Sequence, residues 1–511
     1  MANGDIRQAW AYHDLTKHSE RSIRENMRGL DFANQPLPFK LYESLEPIPL
    51  PREAGQTGIS ALAAISDETP FVRAEAVPTL NDLARILYFS AGITKRKQYP
   101  GGEILFRAAS CTGALYEFEI YLVSGDLPDL SAGIYHFGPL DFSLRRIRSG
   151  DFRGALVHAT ASEESVTHAP VTIVCAGTYW RNSWKYGART YRHFGWDNGT
   201  LLANVLAMCR ASLLPARVIA GFIDSEVNAL LSIDPAREAA FSMVTVGTTN
   251  AVTPASPHEM PKLAFAVTRL SATEIEYPEL QVIHDASCLN TGEEVAGWRS
   301  RGPIGTPAES QLQMLSLEPP GAGELPRDVI EQVVLRRGSS RRFARKSISL
   351  GQLSTLLESS TKGIPADFLH PFGAQLNDLY LIVNAVDGLK PGAYFYNRDR
   401  RALARLKEGE FRSHSRYLGL QQDLPGDAAA DIFFLADLNE ILSRLGNRGY
   451  RAAQLEAGII GGKLYLGAYA LRLGATGLTF FDDDVTEFFS PHAAGKSAIF
   501  LVAIGKGMKP V

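Results

Sequence analysis

The stretch Trp184-Lys185-Tyr186-Gly187-Ala188-Arg189-Thr190-Tyr191-Arg192 has a worn copy in Leu445-Gly446-Asn447-Arg448-Gly449-Tyr450-Arg451. Both read Gly-x-Arg-x-Tyr-Arg. Both lead into an apolar helix, one through Asp197-Asn198-Gly199 and the other through Glu456-Ala457-Gly458. Tyr186 and Leu445 lie 259 residues apart, as do Gly199 and Gly458. A repeat this long in a chain of 511 residues means two whole domains and excludes a solenoid. The copies differ where chemistry concentrates, because Lys185-Tyr186 faces Arg444-Leu445. The spacing therefore predicts two halves that have divided the labour of one active site.

The flanking pattern repeats as well. A helix over Asn81–Phe89 is matched by Leu353–Leu357, and Gly113-Ala114 before the strand Phe118–Val123 by Gly373-Ala374 before Tyr380–Val383. The turn Ala132-Gly133-Ile134-Tyr135 is matched by Pro391-Gly392-Ala393-Tyr394, and the buried strand Val171–Ala176 by Asp431–Leu435. Helix and strand alternate irregularly, which predicts an α+β fold with mixed central sheets, the two domains pairing as an intrachain pseudo-dimer. The expected boundaries are 1–248 for the first domain, including a polar arm over 1–78, then a connector over 249–325 and a second domain over 326–511. Within the arm, Ser19 is expected to cap a short helix. The connector carries Pro254, Pro257, Pro261, Pro303, Pro307, Pro319 and Pro320, the composition of a joint, with candidate strands at Ala264–Leu270 and Glu274–Val282.

A net charge of −3 leaves no footprint for nucleic acid as a partner. Cys111, Cys175, Cys209 and Cys288 are scattered without ligand spacing, which predicts reduced thiols and no metal site. No apolar run reaches the ~18 residues needed to cross a bilayer, and the opening MANGDIRQAW has no signal-peptide core. The expectation is a cytoplasmic chain without a membrane partner.

Four arginines fall in the seven residues Arg336-Arg337-Gly338-Ser339-Ser340-Arg341-Arg342, interleaved with two serines. Guanidinium forks and hydroxyls suit a phosphate, whose oxygens need several converging donors. The first half has no such cluster, and its corresponding stretch reads Glu68-Thr69-Pro70-Phe71-Val72-Arg73. No GxGxxG follows a strand, and Ser490 stands where the first glycine of a P-loop ending in Gly495-Lys496-Ser497 would be. His193, His136 and His168 read as structural. Asp197-Asn198-Gly199 is expected to cap a helix starting at Leu201, and Trp180 and Trp184 either to wall a cleft or to pack in the core.

Together these pieces resemble the FMN-dependent nitroreductase superfamily, and within it the SagB-type dehydrogenases, which include azoline oxidases acting on modified peptides. The resemblance rests on Tyr12–Ser19, Arg107–Ser110 with Gly113–Tyr116, Gly133–Phe137, Lys185-Tyr186-Gly187 through Asp197, Arg337-x-Ser339-x-Arg341-x-Phe343, and Glu456-Ala457-Gly458 through Gly477. It covers nearly the whole chain outside the connector. The resemblance implies that FMN sits between two α+β domains, its phosphate held by Arg337, Ser339 and Arg341 with help from Lys506. It implies a backbone N–H near flavin N5 from Thr476-Gly477-Leu478, and a ring-contacting loop formed by Ser110, Cys111, Thr112 and Gly113. Ala109 stands where that loop often has proline.

The phosphate clamp belongs to one half, and the ring loop with the Lys-Tyr pair to the other; the second half has Phe372-Gly373-Ala374-Gln375 in place of the loop. This predicts one composite FMN site per chain, a degenerate mirror site, and part of the connector covering it. Hydride exchange with a small-molecule or peptide substrate then needs a partner for the proton, and Lys185 and Tyr186 are the candidates. Both groups ordinarily titrate at or above pH 10, so one must be lowered, with Arg189 and Arg192 as the cations that supply the field. The alternatives are an NAD(P)H-dependent nitro- or enone reductase and a non-catalytic scaffold. Further homodimerisation is left open by the internal pairing.

Overall fold

Strand for strand, the two halves of the chain build the same sheet. The computed structural model describes residues 3–25, 29–52, 55–66, 75–99, 102–255, 260–301, 313–321 and 323–508. Glu68–Arg73 and the connector prolines Pro257, Pro303 and Pro307 lie outside them. The first seven-stranded sheet runs Pro47–Pro49, Ser143–Ser149, Gly133–Gly138, Phe118–Ser124, Val171–Thr178, Glu238–Val246, Ala216–Ile219. The second runs Met314–Ser316, Ala402–Glu408, Gly392–Asn397, Asp378–Val383, Ala430–Ala436, Ser497–Gly505, Gly474–Leu478. The expected pair of duplicated α+β halves is what the chain forms.

Strand direction departs from expectation. All pairings within the two large sheets are antiparallel, not mixed. Short connections such as that between Gly133–Gly138 and Ser143–Ser149 can only return a strand antiparallel. Parallel pairing among the described residues is confined to Ile348–Ser349 with Val386–Asp387 and to the bridges Val218–Ala366 and Ile223–Leu289.

The connector does more than join. Its strand Met314–Ser316 edges the second sheet as Pro47–Pro49 of the arm edges the first. The candidate strand Glu274–Val282 is corrected: a helix, Pro278–Ser287, starts inside it, with proline at the position where a missing N–H costs nothing. Ala264–Leu270 forms no strand, only the bridge Val267–Tyr42. In the arm, Ser19 Oγ does accept the Ser22 N–H at 3.1 Å, at the start of the Glu20–Glu25 helix.

Two long helices, Thr190–Ala211 and Asn447–Ala470, form the seam between the halves. Asp197-Asn198-Gly199 lies inside the first of them and caps nothing, because the helix begins at Thr190. Interior glycines normally cost a helix about 1 kcal/mol each. Here they permit close approach: a Cβ on Gly199 would fall 2.5 Å from Gly458 Cα, and one on Gly195 2.3 Å from Gln454 Cβ. A Cβ on Gly462 would fall 2.5 Å from that of Ala203. Each contact joins residues 259 apart, so equivalent positions face one another along a pseudo-twofold axis.

The repeated arginines lock this seam reciprocally. Arg189 and Arg192 of the first half reach Asp482 of the second at 3.2 and 2.5 Å. Arg448 and Arg451 of the second reach Asp224 of the first at 2.6 and 3.2 Å. All six side chains are buried. Removing one partner from such a group leaves a charge stranded, at a cost of about 3–5 kcal/mol. Each clasp is closed by a short helix from outside the two cores. Arg189 donates to Thr16 O and its counterpart Arg448 to Ser287 O at 3.0 Å, and Arg192 adds bonds to His13 O at 2.8 Å and Thr16 Oγ1 at 3.0 Å. Thus His13-Asp14-x-Thr16 of the arm and His284-Asp285-x-Ser287 of the connector fill equivalent places. No helix among the described residues is long and apolar enough to cross a membrane.

Candidate active site between the halves

The loop Ser110–Gly113 is fixed by the first long helix. Thr112 donates its N–H and its hydroxyl to Asp197, each at 2.9 Å, and Thr200 Oγ1 donates to Ser110 O at 2.7 Å. Ala109 is anchored by its N–H to Ser90 O at 3.1 Å. Gly113 has φ 63°, and a Cβ there would lie 2.9 Å from Tyr186 Oη, so glycine is what lets the tyrosine hydroxyl lie against the loop. A small cavity of ≈ 20 Å³, room for about one water, lies beneath the loop between Ser90, Arg107, Cys111, Tyr116 and Asp197.

The second half brings its arginine segment against this loop. Arg337 Nε donates to Ala108 O at 3.0 Å and Nη2 lies 3.5 Å from Arg107 O, so this guanidinium ties the halves together instead of standing free. Ser339 Oγ lies 3.3 Å from Tyr465 Oη, which also accepts the Gly477 N–H at 2.5 Å. That N–H is engaged within the protein. Thr476 beside it is buried, and Leu478 half-buried. Arg341 and Arg342 are exposed, and so is Lys506, whose carbonyl accepts the Ala344 N–H at 2.9 Å. Among the described residues none of these three side chains meets a carboxylate. Arg341 is near enough to Tyr186 to oppose the rise of its phenol.

Lys185 is exposed, its amine 5.3 Å from the centre of the Tyr186 ring. Tyr186 is half-buried, and burial, followed by Asp197, Cys111 and Glu117, pushes its phenol above the ordinary range. This reverses the lowering a base would need. Nor do Arg189 and Arg192 supply the field, since both are committed to Asp482. His193 Nδ1 lies 3.0 Å from Asn182 Oδ1 with its ring edge-on to Tyr186, and His136 is buried 2.7 Å from Glu119. Trp180 is buried on Ser271, whereas Trp184 lies half-exposed against Phe32. The sequence reading missed Glu117, Asn182, Thr200 and Tyr465. Only Asp197 had a usable signal, its match to Glu456 across the repeat.

The mirror position is built differently. Val218 stands where Gly477 stands in the other half, and it pairs in parallel with Ala366. Its N–H donates to Pro365 O at 2.8 Å, while Asp367 accepts the Ala220 and Gly221 N–H groups at 2.8 and 2.9 Å. Trp298 of the connector closes the gap, 3.0 Å from where a Gly221 Cβ would be. In the first half the equivalent chain instead leaves as the hairpin Ile93–Tyr99 with Gly102–Arg107. The mirror position is filled by the chain itself, whereas Thr112, Gly113, Tyr186, Ser339 and Gly477 at the first position stay partly exposed.

Exposed cations that meet no carboxylate among the described residues, beside the half-buried Ser339, make a donor set that suits a phosphate. Residues 334–506 match the Nitroreductase family. The chain is similar to the crystal structure of a candidate nitroreductase from Anabaena variabilis, with a TM-score of 0.79 and 26% identity over 98% of this chain and 99% of that one. A candidate nitroreductase from Methanocaldococcus jannaschii is 27% identical over 155 residues, 30% of this chain and 75% of the relative. The E. coli microcin synthetase McbBCD complex with truncated pro-MccB17 bound is similar over 48% of this chain and 93% of that one, at 19% identity and a TM-score of 0.31, too distant to carry an argument. Residues 334–506 thus match the Nitroreductase family, and the chain has the nitroreductase fold over both halves.

Proposed function

We propose that the chain is an FMN-dependent oxidoreductase with one composite site. The observation that carries this reading is the company at the seam: Arg341, Arg342 and Lys506, exposed and meeting no carboxylate among the described residues, on one half, and the Asp197-held loop with Tyr186 on the other. Arg341, Ser339 and Lys506 would hold the phosphate. Arg337 supports the site by fixing the backbone of Arg107-Ala108. Ser110, Thr112 and Gly113 would face the ring from the first half, with Thr476, Gly477 and Leu478 from the second. The flavin supplies hydride chemistry at N5 when bound. Tyr186 holds a proton at Oη and presents it at the loop, and Lys185 places a positive charge beside its ring.

The substrate proposed is a small molecule or modified peptide with an azoline-type ring, oxidised in the manner of the SagB-type dehydrogenases. A second reading is favoured by one observation. A phenol raised above its usual range is a proton donor before it is a base, which suits reduction of a nitro compound or enone fed by NAD(P)H. Both readings need the clamp. The double variant Arg341→Ala/Lys506→Ala should purify without flavin yet unfold normally; retention of flavin by that variant would remove the clamp from the proposal.

A further inference from the structure

The acids beneath the ring loop are partnered differently in the two halves. Asp197 and Glu456 occupy equivalent places, and each accepts backbone N–H groups from its own half, Asp197 from Thr112 and Glu456 from Leu376 and Asn377. The remaining company of Glu456 is neutral or cationic: Asn377 Nδ2 at 2.7 Å and Arg398 at 3.7 Å. Asp197 instead meets a second acid. Glu117 is fully buried, its carboxylate lies within 4.8 Å of that of Asp197, and Cys111 Sγ lies 3.2 Å from Glu117 and 3.5 Å from Asp197. The strand registers, which set Leu122 opposite Tyr135 and Leu381 opposite Tyr394, put Leu376 where Glu117 stands. The fold therefore has a solution for this buried carboxylate that needs no second acid, and the half with the Lys-Tyr pair does not use it.

Two carboxyl groups this close in a buried site cannot both stay ionised, so they share a proton. We propose that Glu117 and Asp197 hold one exchangeable proton between them, and that this proton serves the ring loop through Thr112 and Tyr186. Burial, then Glu117, keep the Asp197 carboxyl well above its usual range. Thr112 Oγ1 connects Asp197 to the loop, and Gly113 beside it carries Tyr186 Oη against its Cα. On the other flank, Asn182 Nδ2 donates to Glu117 at 3.2 Å while Asn182 Oδ1 meets His193, whose ring edges Tyr186. The titratable and charged groups facing the pair are Cys111, Tyr186 and His193, with Arg107 beyond the thiol and Arg341 beyond the phenol. When Tyr186 gives its proton to an atom at the site, the pair's proton restores the phenol, and the pair, unable to stay doubly ionised, takes up the next proton delivered to the site. In the reverse direction the proton returns from the phenol to the pair. No electrons move in this step. Glu117 and Asp197 are thus positioning residues acting through Tyr186. That role rests on the oxidoreductase reading, whereas the shared proton does not.

Infrared difference spectra of the full chain at neutral pH test the pair. Glu117→Gln gives Asp197 an amide partner, as Asn377 gives Glu456, and should fold. The expected result is loss of one protonated-carboxyl C=O band between wild type and Glu117→Gln, with an unchanged unfolding midpoint. If that variant does not fold, Asp197→Asn must lose the same band. Tyr186→Phe should shift the pH at which the band disappears. A wild type without the band, a band that survives in the variants, or a midpoint indifferent to Tyr186→Phe would overturn the proposal. Flavin measured on the same samples keeps the two ideas apart: the band without flavin would sink only the oxidoreductase reading.

Discussion

Arg192 of the first half lies 2.5 Å from Asp482 of the second, and both are fully buried. The equivalent contact in the opposite sense is Arg451 to Asp224 at 3.2 Å, beside Arg448 to the same carboxylate at 2.6 Å. The motif that announces the duplication in the sequence is therefore the device that holds the halves together. Asp482→Ala strands two guanidinium groups, so it should cost about 3–5 kcal/mol in urea unfolding. A loss under about 0.5 kcal/mol would mean that the clasp does not support the seam.

Acid should loosen the same region early. Burial lowers His18 and His284 to about 3, so both stay neutral in the fold while the unfolded chain takes up protons below about pH 6.5. The unfolded state then binds more protons, and stability falls as pH drops, by about 1.4 kcal/mol per unit for each histidine. Asp482, held down by Arg189 and Arg192 against its burial, adds a further loss below about pH 4. Urea midpoints at pH 7.5 and pH 5 measure this. Equal midpoints would contradict it, and His284→Asn should flatten the slope.

Glycines at the seam and on the surface should respond oppositely to alanine. Gly199→Ala drives a methyl to within 2.5 Å of the Gly458 backbone and should cost about 1–3 kcal/mol. Gly297, in the helix Gly292–Arg299, has nothing within 4 Å of its added Cβ, so Gly297→Ala should stabilise by about 0.5–1 kcal/mol. Thermal midpoints of the two variants moving together would refute the close-approach argument.

Much of this was legible in the sequence, and the limits have physical causes. The offset of 259 at Gly199 and Gly458 foretold the duplicated sheets because a repeat preserves register. The purpose of the arginines was hidden, since Asp482 lies 290 residues from Arg192 and acidic helix starts are common. The connector read as a joint because its prolines hide the counterpart of the arm, whose His-Asp-x-Thr recurs as His284-Asp285-x-Ser287 at a different offset. At the site, residue types identified the loop and the arginine segment. They did not reveal that Arg337 is spent on Ala108 O or that Tyr186 is raised, because both depend on burial.

Tyr186→Phe removes the hydroxyl that lies against Gly113 and keeps the ring that packs on His193. Turnover, once a substrate is found, should fall by about 10²–10⁴-fold while flavin content is unchanged. Lys185→Met should have a smaller effect, because its amine is exposed. Full activity in Tyr186→Phe would exclude the phenol from proton transfer.

The central claim is that FMN takes one of two equivalent positions at the seam, the other being filled by Val218–Ala366 and Asp367. Quantifying FMN released from the purified chain, after saturation with FMN and removal of excess, tests it most directly. One FMN per chain is predicted. Two per chain would show the filled position to be a working site, and none would leave the nitroreductase fold here as a scaffold.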